Sequence, residues 1–152
     1  MLALVQRVCE ARVVIEGEVA GRIGHGLLVF LCAERGDTEA EGERLLAKLL
    51  KLRIFADGEG CMNRSVQDVD GGLLIVSQFT LAADTSGGNR PSFSGAAAPA
   101  DGLRLYEAFV RCARDLHPEV QTGKFGAEMQ VHLVNDGPVT VPLRIVPTAL
   151  PV

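Results

Sequence analysis

The chain lacks the long apolar run that a membrane-spanning helix requires. No stretch of its 152 residues approaches the roughly 20 consecutive apolar residues that cross a bilayer. The beginning of the chain also lacks the apolar centre and cleavage site of a secretory signal, since Arg7 and Arg12 interrupt an alternating pattern. With 47% hydrophobic and 22% charged residues, the composition is that of an ordinary globular protein. We therefore expect a cytoplasmic protein that has no membrane partner.

Paired cysteines are absent as well. None of the four cysteines forms a Cys-x-x-Cys pair, and none has a histidine at metal-ligand spacing. This pattern favours neither a structural zinc site nor a disulfide framework. Cys9, Cys32 and Cys112 lie in apolar segments, and we predict that they are reduced core residues.

The chain has no excess of positive charge. Its formal net charge is −4, which argues against a protein that tracks a nucleic-acid groove through release of counterions. A protein that grips only the end of an RNA is compatible with this charge, because a few local cations and backbone contacts suffice. Arg90 and Lys124 are the candidate cations, and the alternative is that both are solvated surface charges.

The side-chain pattern by which most hydrolases are recognised is missing. There is no Gly-x-Ser-x-Gly elbow around Ser77, and no two carboxylates have the spacing of an acid and base pair. His25, His117 and His132 fall in a turn, at a helix end and in a strand. We interpret the first two as structural or surface residues and His132 as a half-exposed strand residue.

Polar residues follow the apolar strand at 73–76. Ser77, Gln78 and Thr80 stand where a strand ends and its backbone amides become free to meet a ligand. Thr80 is a candidate nucleophile, but it could equally shape a pocket or donate a hydrogen bond. Ser77 and Gln78 could instead tie down the strand end.

A second segment, 135–140, joins two extended stretches through Gly137-Pro138. Glycine reaches backbone angles closed to other residues, while proline fixes φ and donates no hydrogen bond. Such a joint can hold a carbonyl oxygen aimed away from the chain. The alternative is that it is only a rigid turn.

The remaining pattern predicts one domain over residues 1–152 of the α/β (α+β) class. Thr38 and Glu41 form a capping box before one amphipathic helix, a second helix ends near His117, and strands outnumber helices. We expect a curved, mostly antiparallel sheet with the two helices packed on it, and an irregular tail at 145–152. The predicted buried faces are Leu45, Leu46, Leu49 and Leu52 for the first helix, and Leu103, Tyr106, Phe109, Val110 and Ala113 for the second.

These segments together resemble the bacterial D-aminoacyl-tRNA deacylases of the DTD type. The likeness keeps one register over about nine-tenths of the chain, and that many segments in order make it specific. It is carried by 5–8 (Val-Gln-Arg-Val), 26–29 (Gly-Leu-Leu-Val), 34–38 (Glu-Arg-Gly-Asp-Thr), 52–55 (Leu-Arg-Ile-Phe), 62–63 (Met-Asn), 77–81 (Ser-Gln-Phe-Thr-Leu), 90–97 (Arg-Pro-Ser-Phe-Ser-Gly-Ala-Ala), 125–129 (Phe-Gly-Ala-Glu-Met) and 135–140 (Asn-Asp-Gly-Pro-Val-Thr).

The resemblance implies a small, β-barrel-like α/β domain that works as a homodimer without a metal or organic cofactor. It implies hydrolysis of the ester of D-aminoacyl-tRNA, and of glycine mischarged on alanine tRNA. In that family the substrate's own 2′-hydroxyl assists, so the backbone N–H of Phe79 is expected to donate to the oxyanion, beside Ser77, Gln78 and Thr80. Arg90, Phe125 and Met129 match positions expected near the RNA, although Phe125 and Met129 are also typical core residues.

In the family, the glycine–proline peptide is cis and enters the active site of the partner subunit. The resemblance therefore implies that the carbonyl oxygens of Gly137 and Pro138 exclude the L configuration at the substrate's α-carbon. Two alternatives stay open from the sequence. One is a Thr80-dependent hydrolase of small esters, and the other is a non-catalytic dimeric nucleic-acid-binding module.

Overall fold

One long strand organises the sheet. In the computed structural model, which describes residues 1–148, β1 spans Leu2–Ile15 and pairs along one edge with β2 (Glu18–Ile23) and β3 (Gly26–Cys32). All of these pairs are antiparallel, and the register makes β2 and β3 a single return strand interrupted at 24–25. Residues 2–32 thus form a long hairpin.

Two helices and five further strands complete the fold. The predicted capping box is present, since the Thr38 N–H donates to Glu41 Oε2 over 2.6 Å. The elements are α1 (Glu39–Lys51), β4 (Phe55–Ala56), β5 (Met62–Arg64), β6 (Gly72–Ser77), a 3₁₀ helix (Phe79–Ala82), α2 (Pro99–Leu116), β7 (Val120–Thr122) and β8 (Gln130–Arg144).

The main sheet is mixed, with most of its pairings antiparallel. β6 lies parallel to β3 and β7 lies parallel to β6, while β8 runs antiparallel along the free edge of β1. The sheet curls until β2 approaches β7, and an added Cβ at Gly21 would collide with the carbonyl oxygen of Thr122. A glycine at this position therefore lets the barrel-like sheet close, as the fold prediction expected.

The helices cover one face of the sheet. Leu45, Leu46 and Leu49 of α1 are buried against it, as predicted, while Leu52 ends the helix and is half-buried. The prediction for α2 is wrong at Leu103, which is 37% exposed, because Leu105 takes the buried position. A second apolar cluster fills the curl of the sheet, formed by Val8, Ala11, Val13, Ile23, Leu28, Leu74 and Val76.

The predicted burial of the cysteines and histidines is confirmed for some of these residues and wrong for others. Cys32 is buried and Cys112 half-buried, but Cys9 is exposed, because β1 is irregular in its pairing with β8 at this point. His117 is buried, and its Nε2 lies 2.7 Å from the carbonyl oxygen of Gly71, while His132 is exposed. Residues 145–148 have no regular secondary structure, as predicted for the tail, and 149–152 lie outside the described residues.

Tyr106 provides a spectroscopic probe of the core. It is the chain's one tyrosine, and its hydroxyl donates to the carbonyl oxygen of Ile75 over 2.8 Å. Burial raises the pKa of Tyr106 from 10.0 to about 12. We expect the phenolate absorbance to titrate near pH 12 in the native protein and near pH 10 in denaturant. Above pH 10 only the unfolded chain loses this proton, so the free energy of unfolding falls by about 1.4 kcal/mol per pH unit until the pH reaches the folded pKa.

No helix among residues 1–148 combines the length and the apolar character needed to cross a bilayer.

Candidate active site

A cleft of about 740 Å³ opens where β3 and β6 end. Because these two strands are parallel, the residues that follow them meet at the same edge of the sheet. Ser77, Gln78 and Phe79 form one wall, and Phe125 and Met129 line the same cleft from the segment before β8. The structure therefore brings together five of the residues singled out in the sequence.

The backbone leaves β6 at Gln78 and turns at once. The Gln78 N–H still donates to the carbonyl oxygen of Leu31 over 2.8 Å, which extends the sheet by one bond. Phe79 then opens the 3₁₀ helix, so its N–H has no partner inside that turn. No acceptor for the Phe79 N–H is found elsewhere among residues 1–148. This amide is free to donate to a bound molecule.

The Phe79 ring links the turn to the long loop, residues 83–98, that joins the 3₁₀ helix to α2. The ring is 58% exposed and meets the edge of Phe93 at a centroid distance of 5.2 Å. Arg35 anchors the same loop from the other side, since its N–H donates to the carbonyl oxygen of Gly95 over 3.0 Å and its side chain donates to that of Ser94. The loop is thus fixed against both strand ends that form the cleft.

Thr80 is exposed and does not line the cleft. Its hydroxyl oxygen accepts a hydrogen bond from the side-chain amide of Gln78, and an amide does not act as a general base. No histidine side chain lines the cleft, and the hydrogen-bond partner found for the Thr80 hydroxyl is the Gln78 amide, so no general base contacts this hydroxyl in the described part of the chain.

The Thr80→Ala variant is expected to keep the hydrolytic activity that the sequence resemblance implies within about fivefold of the wild type, because only the hydrogen bond from Gln78 is lost. Steady-state rates on a D-aminoacyl-tRNA check this. A loss of nearly all activity would make Thr80 the nucleophile.

Cys32, unlike Thr80, lines the cleft, and its thiol is a second candidate nucleophile. Burial is the main cause that raises the pKa of its thiol to about 11, and the negative charge of Glu34 adds to the effect. A thiol with this pKa is protonated at neutral pH and is a poor nucleophile. Cys32 therefore acts as a small buried residue, as the sequence predicted.

The cations are arranged differently from the sequence expectation. Arg90 and Lys124 are exposed, and neither lines the cleft of its own chain. Arg35 does line it, and sequence reasoning missed this residue. Its position shortly after the buried strand β3 is the signal that could have found it, once β3 and β6 are known to be parallel. Among residues 1–148, no group of three or more histidine, cysteine, aspartate or glutamate side chains is placed to hold a metal ion.

Gly137 and Pro138 lie in a bulge of β8. Gln6 pairs with Thr140 and Val8 with Asn135, so the four residues 136–139 stand opposite Arg7 alone. The peptide bond between Gly137 and Pro138 is cis, and Gly137 has a φ of +123°. Both residues are exposed.

Arg7 fixes the base of this bulge. Its Nη1 donates to the carbonyl oxygen of Ile54 over 2.6 Å, and its Nε lies 3.2 Å from Asp136 Oδ2. On the other side, Asn135 Oδ1 accepts from the Val139 N–H over 3.3 Å. These contacts hold the exposed glycine–proline tip away from the sheet.

The tip does not reach the cleft of its own chain. Arg7 pairs with Leu27 on β3, whereas Ser77 pairs with Leu31. Four residues of β3 correspond to about 13 Å along the strand. The structure therefore separates Gly137 and Pro138, as well as Thr80 and Arg90, from the residues it gathers in the cleft.

Comparison with known proteins identifies the family. The sequence model of the D-Tyr-tRNA(Tyr) deacylase family matches residues 4–144. This chain belongs to that deacylase family. It is 90% identical over 152 residues to a D-aminoacyl-tRNA deacylase of Aromatoleum aromaticum, with all of both chains covered. A D-aminoacyl-tRNA deacylase of Paracidovorax citrulli is 74% identical over 147 residues, covering 97% of this chain and 95% of that one.

Solved structures agree with the deacylase fold. A structure described as the c-Myc DNA Unwinding Element Binding Protein superposes with a TM-score of 0.92 at 40% identity, covering 97% of this chain and 100% of that one. A probable eukaryotic D-amino acid tRNA deacylase superposes with a TM-score of 0.79 at 19% identity, covering 95% and 98%, and that likeness concerns the fold alone. The resemblance stated from the sequence is confirmed.

Proposed function

We propose that this protein hydrolyses the ester bond of D-aminoacyl-tRNA, releasing the D-amino acid and the tRNA. The observation that carries this proposal is a cleft with a free strand-end amide at Phe79, in whose described wall no hydroxyl or thiol donates a hydrogen bond to a carboxylate or a histidine. An aminoacyl ester is already an activated bond, so positioning and oxyanion stabilisation can supply much of the rate. The names of the two bacterial relatives support the same activity.

The Phe79 N–H is proposed to donate to the ester oxygen that becomes negative when water attacks. Ser77 and Gln78 line the same wall and hold the ester end of the substrate. The 2′-hydroxyl of the terminal adenosine is proposed to activate the attacking water, so that the reaction needs no side-chain base. Phe125 and Met129 contact the adenosine from the opposite wall.

Selectivity for the D configuration is proposed to come from the partner subunit's Gly137 and Pro138. Their carbonyl oxygens face the substrate's α-carbon and collide with an L side chain, so the wrong substrate is refused. Glycine has no side chain to refuse, and we therefore expect glycyl-tRNA(Ala) to be cleaved too. The distance of the tip from the cleft of its own chain supports a role across the dimer.

The exposed edge of strand β8 is a suitable surface for forming a homodimer. β8 is 15 residues long and, among residues 1–148, pairs only with β1. Leu133 and Val134 on this strand are 36% and 50% exposed. A long edge strand with apolar side chains is a surface that proteins normally cover. A second copy of this chain is the proposed cover.

A mixed dimer tests the cross-subunit arrangement. Each active site is proposed to combine one subunit's Phe79 with the other subunit's Gly137, so a dimer of one Phe79→Pro chain and one Gly137→Ala chain contains one intact site and one doubly altered site. We expect this dimer to recover about half of the wild-type activity on D-tyrosyl-tRNA, with L-tyrosyl-tRNA still refused. If the mixed dimer instead cleaves L-tyrosyl-tRNA as the Gly137→Ala homodimer does, Gly137 acts within its own chain.

The two alternatives are tested by the same purified protein. A small-ester hydrolase would cleave p-nitrophenyl acetate in preference to D-tyrosyl-tRNA. The nucleic-acid-binding module gains support from the 40% identical structure, whose description names a DNA element. That alternative predicts tight DNA binding with no release of D-tyrosine, and we expect the opposite because the chain's net charge of −4 disfavours duplex binding.

A further inference from the structure

Arg35 lies at the rim of the active-site cleft, where the cleft continues into a second concave surface. A groove of about 290 Å³ adjoins the cleft there, and Arg35, Ala97 and Ala98 line both. The groove follows the start of α2, and none of the described residues that line it belongs to β8. An RNA chain can therefore leave the cleft through this groove without crossing the strand edge that is proposed to bind the second copy.

Each acidic side chain in the groove wall already has a cation of its own. The pairs are Glu34 with Arg144 over 3.0 Å, Asp37 with the Met1 ammonium over 2.7 Å, and Asp101 with Arg104 over 3.5 Å. Arg35 differs from these groups, because no carboxylate oxygen of residues 1–148 lies within 4.0 Å of its guanidinium. Its permanent positive charge is thus left for an outside anion.

One hydrogen bond orients the Arg35 guanidinium. Its Nε–H donates to the carbonyl oxygen of Ser94, and this is the one hydrogen bond that the side chain makes within residues 1–148. The four N–H groups on Nη1 and Nη2 therefore keep no acceptor in the described part of the chain. A guanidinium fork binds a phosphate through two parallel hydrogen bonds. An oriented fork on an exposed rim suits this ligand.

The proposed position of the adenosine brings a phosphate close to Arg35. The Phe125 ring packs on α2 at Gly102, where an added Cβ would lie 3.5 Å from the ring atom Cζ. Gly102 is four residues after Ala98, which corresponds to about 6 Å along the helix. Arg35 therefore lies within the length of one nucleotide of a base that contacts Phe125. With the 3′-ester at Phe79, the 5′-phosphate is the end of the nucleotide that leads out of the cleft.

We propose that Arg35 binds the 5′-phosphate of the terminal adenosine of the tRNA. This inference rests on the proposed function, because it takes the ester to lie at Phe79 and the adenosine at Phe125. Arg90 and Lys124 are exposed but do not line the cleft of their own chain. Arg35 is thus the cation through which an acidic chain holds the end of an RNA.

The Arg35→Gln variant tests this contact with three D-tyrosyl esters. They are the 3′-esters of adenosine and of adenosine 5′-monophosphate, which differ by one phosphate, and D-tyrosyl-tRNA. We expect the wild type to prefer the monophosphate ester about tenfold in kcat/KM over the adenosine ester. The variant should lose this preference while its rate on the adenosine ester stays within about twofold of the wild type. Its KM for D-tyrosyl-tRNA should rise about tenfold with kcat little changed.

Arg104→Gln is the matched control. It removes one exposed positive charge from the same groove, but Arg104 is already paired with Asp101. This variant should keep the wild-type preference for the monophosphate ester. Arg35→Lys retains the charge without the fork, and we expect it to keep a preference of about threefold.

Several outcomes would overturn the inference. A wild type with no preference for the monophosphate ester, or an unchanged KM of Arg35→Gln for D-tyrosyl-tRNA, would remove the phosphate contact and leave the proposed function standing. An equal loss on both small esters would show that Arg35 acts only by anchoring the loop at Ser94. An equal loss of preference in Arg104→Gln would assign the effect to the overall charge of the groove. A wild-type protein inactive on all three esters would refute the proposed function itself.

Discussion

The Gly137→Ala variant is expected to lose at least tenfold of the preference for D-tyrosyl-tRNA over L-tyrosyl-tRNA. Gly137 has a φ of +123°, in a region that residues with a side chain rarely adopt. A Cβ there would lie 2.9 Å from both Arg7 Nη2 and Val139 Cγ2. The bulge must therefore shift, and its carbonyl oxygens leave the positions from which they are proposed to exclude an L side chain. Single-turnover hydrolysis of the two tRNA esters measures the ratio.

Gly17→Ala is the control for backbone strain alone. Gly17 lies in the turn between β1 and β2 with a φ of +80°, and an added Cβ meets no atom within 4 Å. This variant should lose about 1–2 kcal/mol of stability and keep the wild-type D/L ratio. An unchanged ratio in Gly137→Ala would remove the glycine–proline tip from stereochemical control.

The Phe79→Pro variant is expected to lower kcat on D-tyrosyl-tRNA by about 10²–10³, with KM little changed. Proline has no N–H, so this change deletes the proposed oxyanion donor. The first position of a helical turn tolerates proline because its N–H has no partner inside the turn. The loss therefore reports on the amide and not on the fold, which a melting curve confirms.

Phe79→Ala separates the ring from the amide. It removes the edge contact with Phe93 but keeps the N–H. We expect this variant to lose less than about tenfold in kcat. If proline and alanine lower the rate equally, the ring matters and the Phe79 N–H is not the oxyanion donor.

Local signals made much of the fold predictable. The capping box at Thr38 and Glu41 is a contact between near neighbours, and it appears as expected. The prediction that Leu103 belongs to the buried face of α2 was wrong. The spacing of apolar residues along a helix does not decide which residue at the margin of the apolar face packs against the sheet. The exposure of Cys9 depends on a pairing irregularity between β1 and β8, where the paired residues lie more than 120 positions apart in the sequence.

The site was predictable in its parts and not in its assembly. The strand end at Ser77 follows from local pattern, and the resemblance supplied the rest of that wall. The bulge at 136–139 arises only from the register of β8 against β1, and Arg7 holds it from the opposite end of the sequence. Such juxtapositions carry no sequence pattern of their own.

The most direct test compares the release of D-tyrosine and L-tyrosine from tRNA by the purified wild-type protein, with no metal added. In the proposed mechanism, a backbone N–H stabilises the oxyanion and the glycine–proline tip excludes L side chains. This mechanism predicts fast release of D-tyrosine while L-tyrosyl-tRNA stays intact. Equal release of both would contradict stereochemical rejection. Release of neither would contradict the hydrolytic function and favour a binding module built on the same fold.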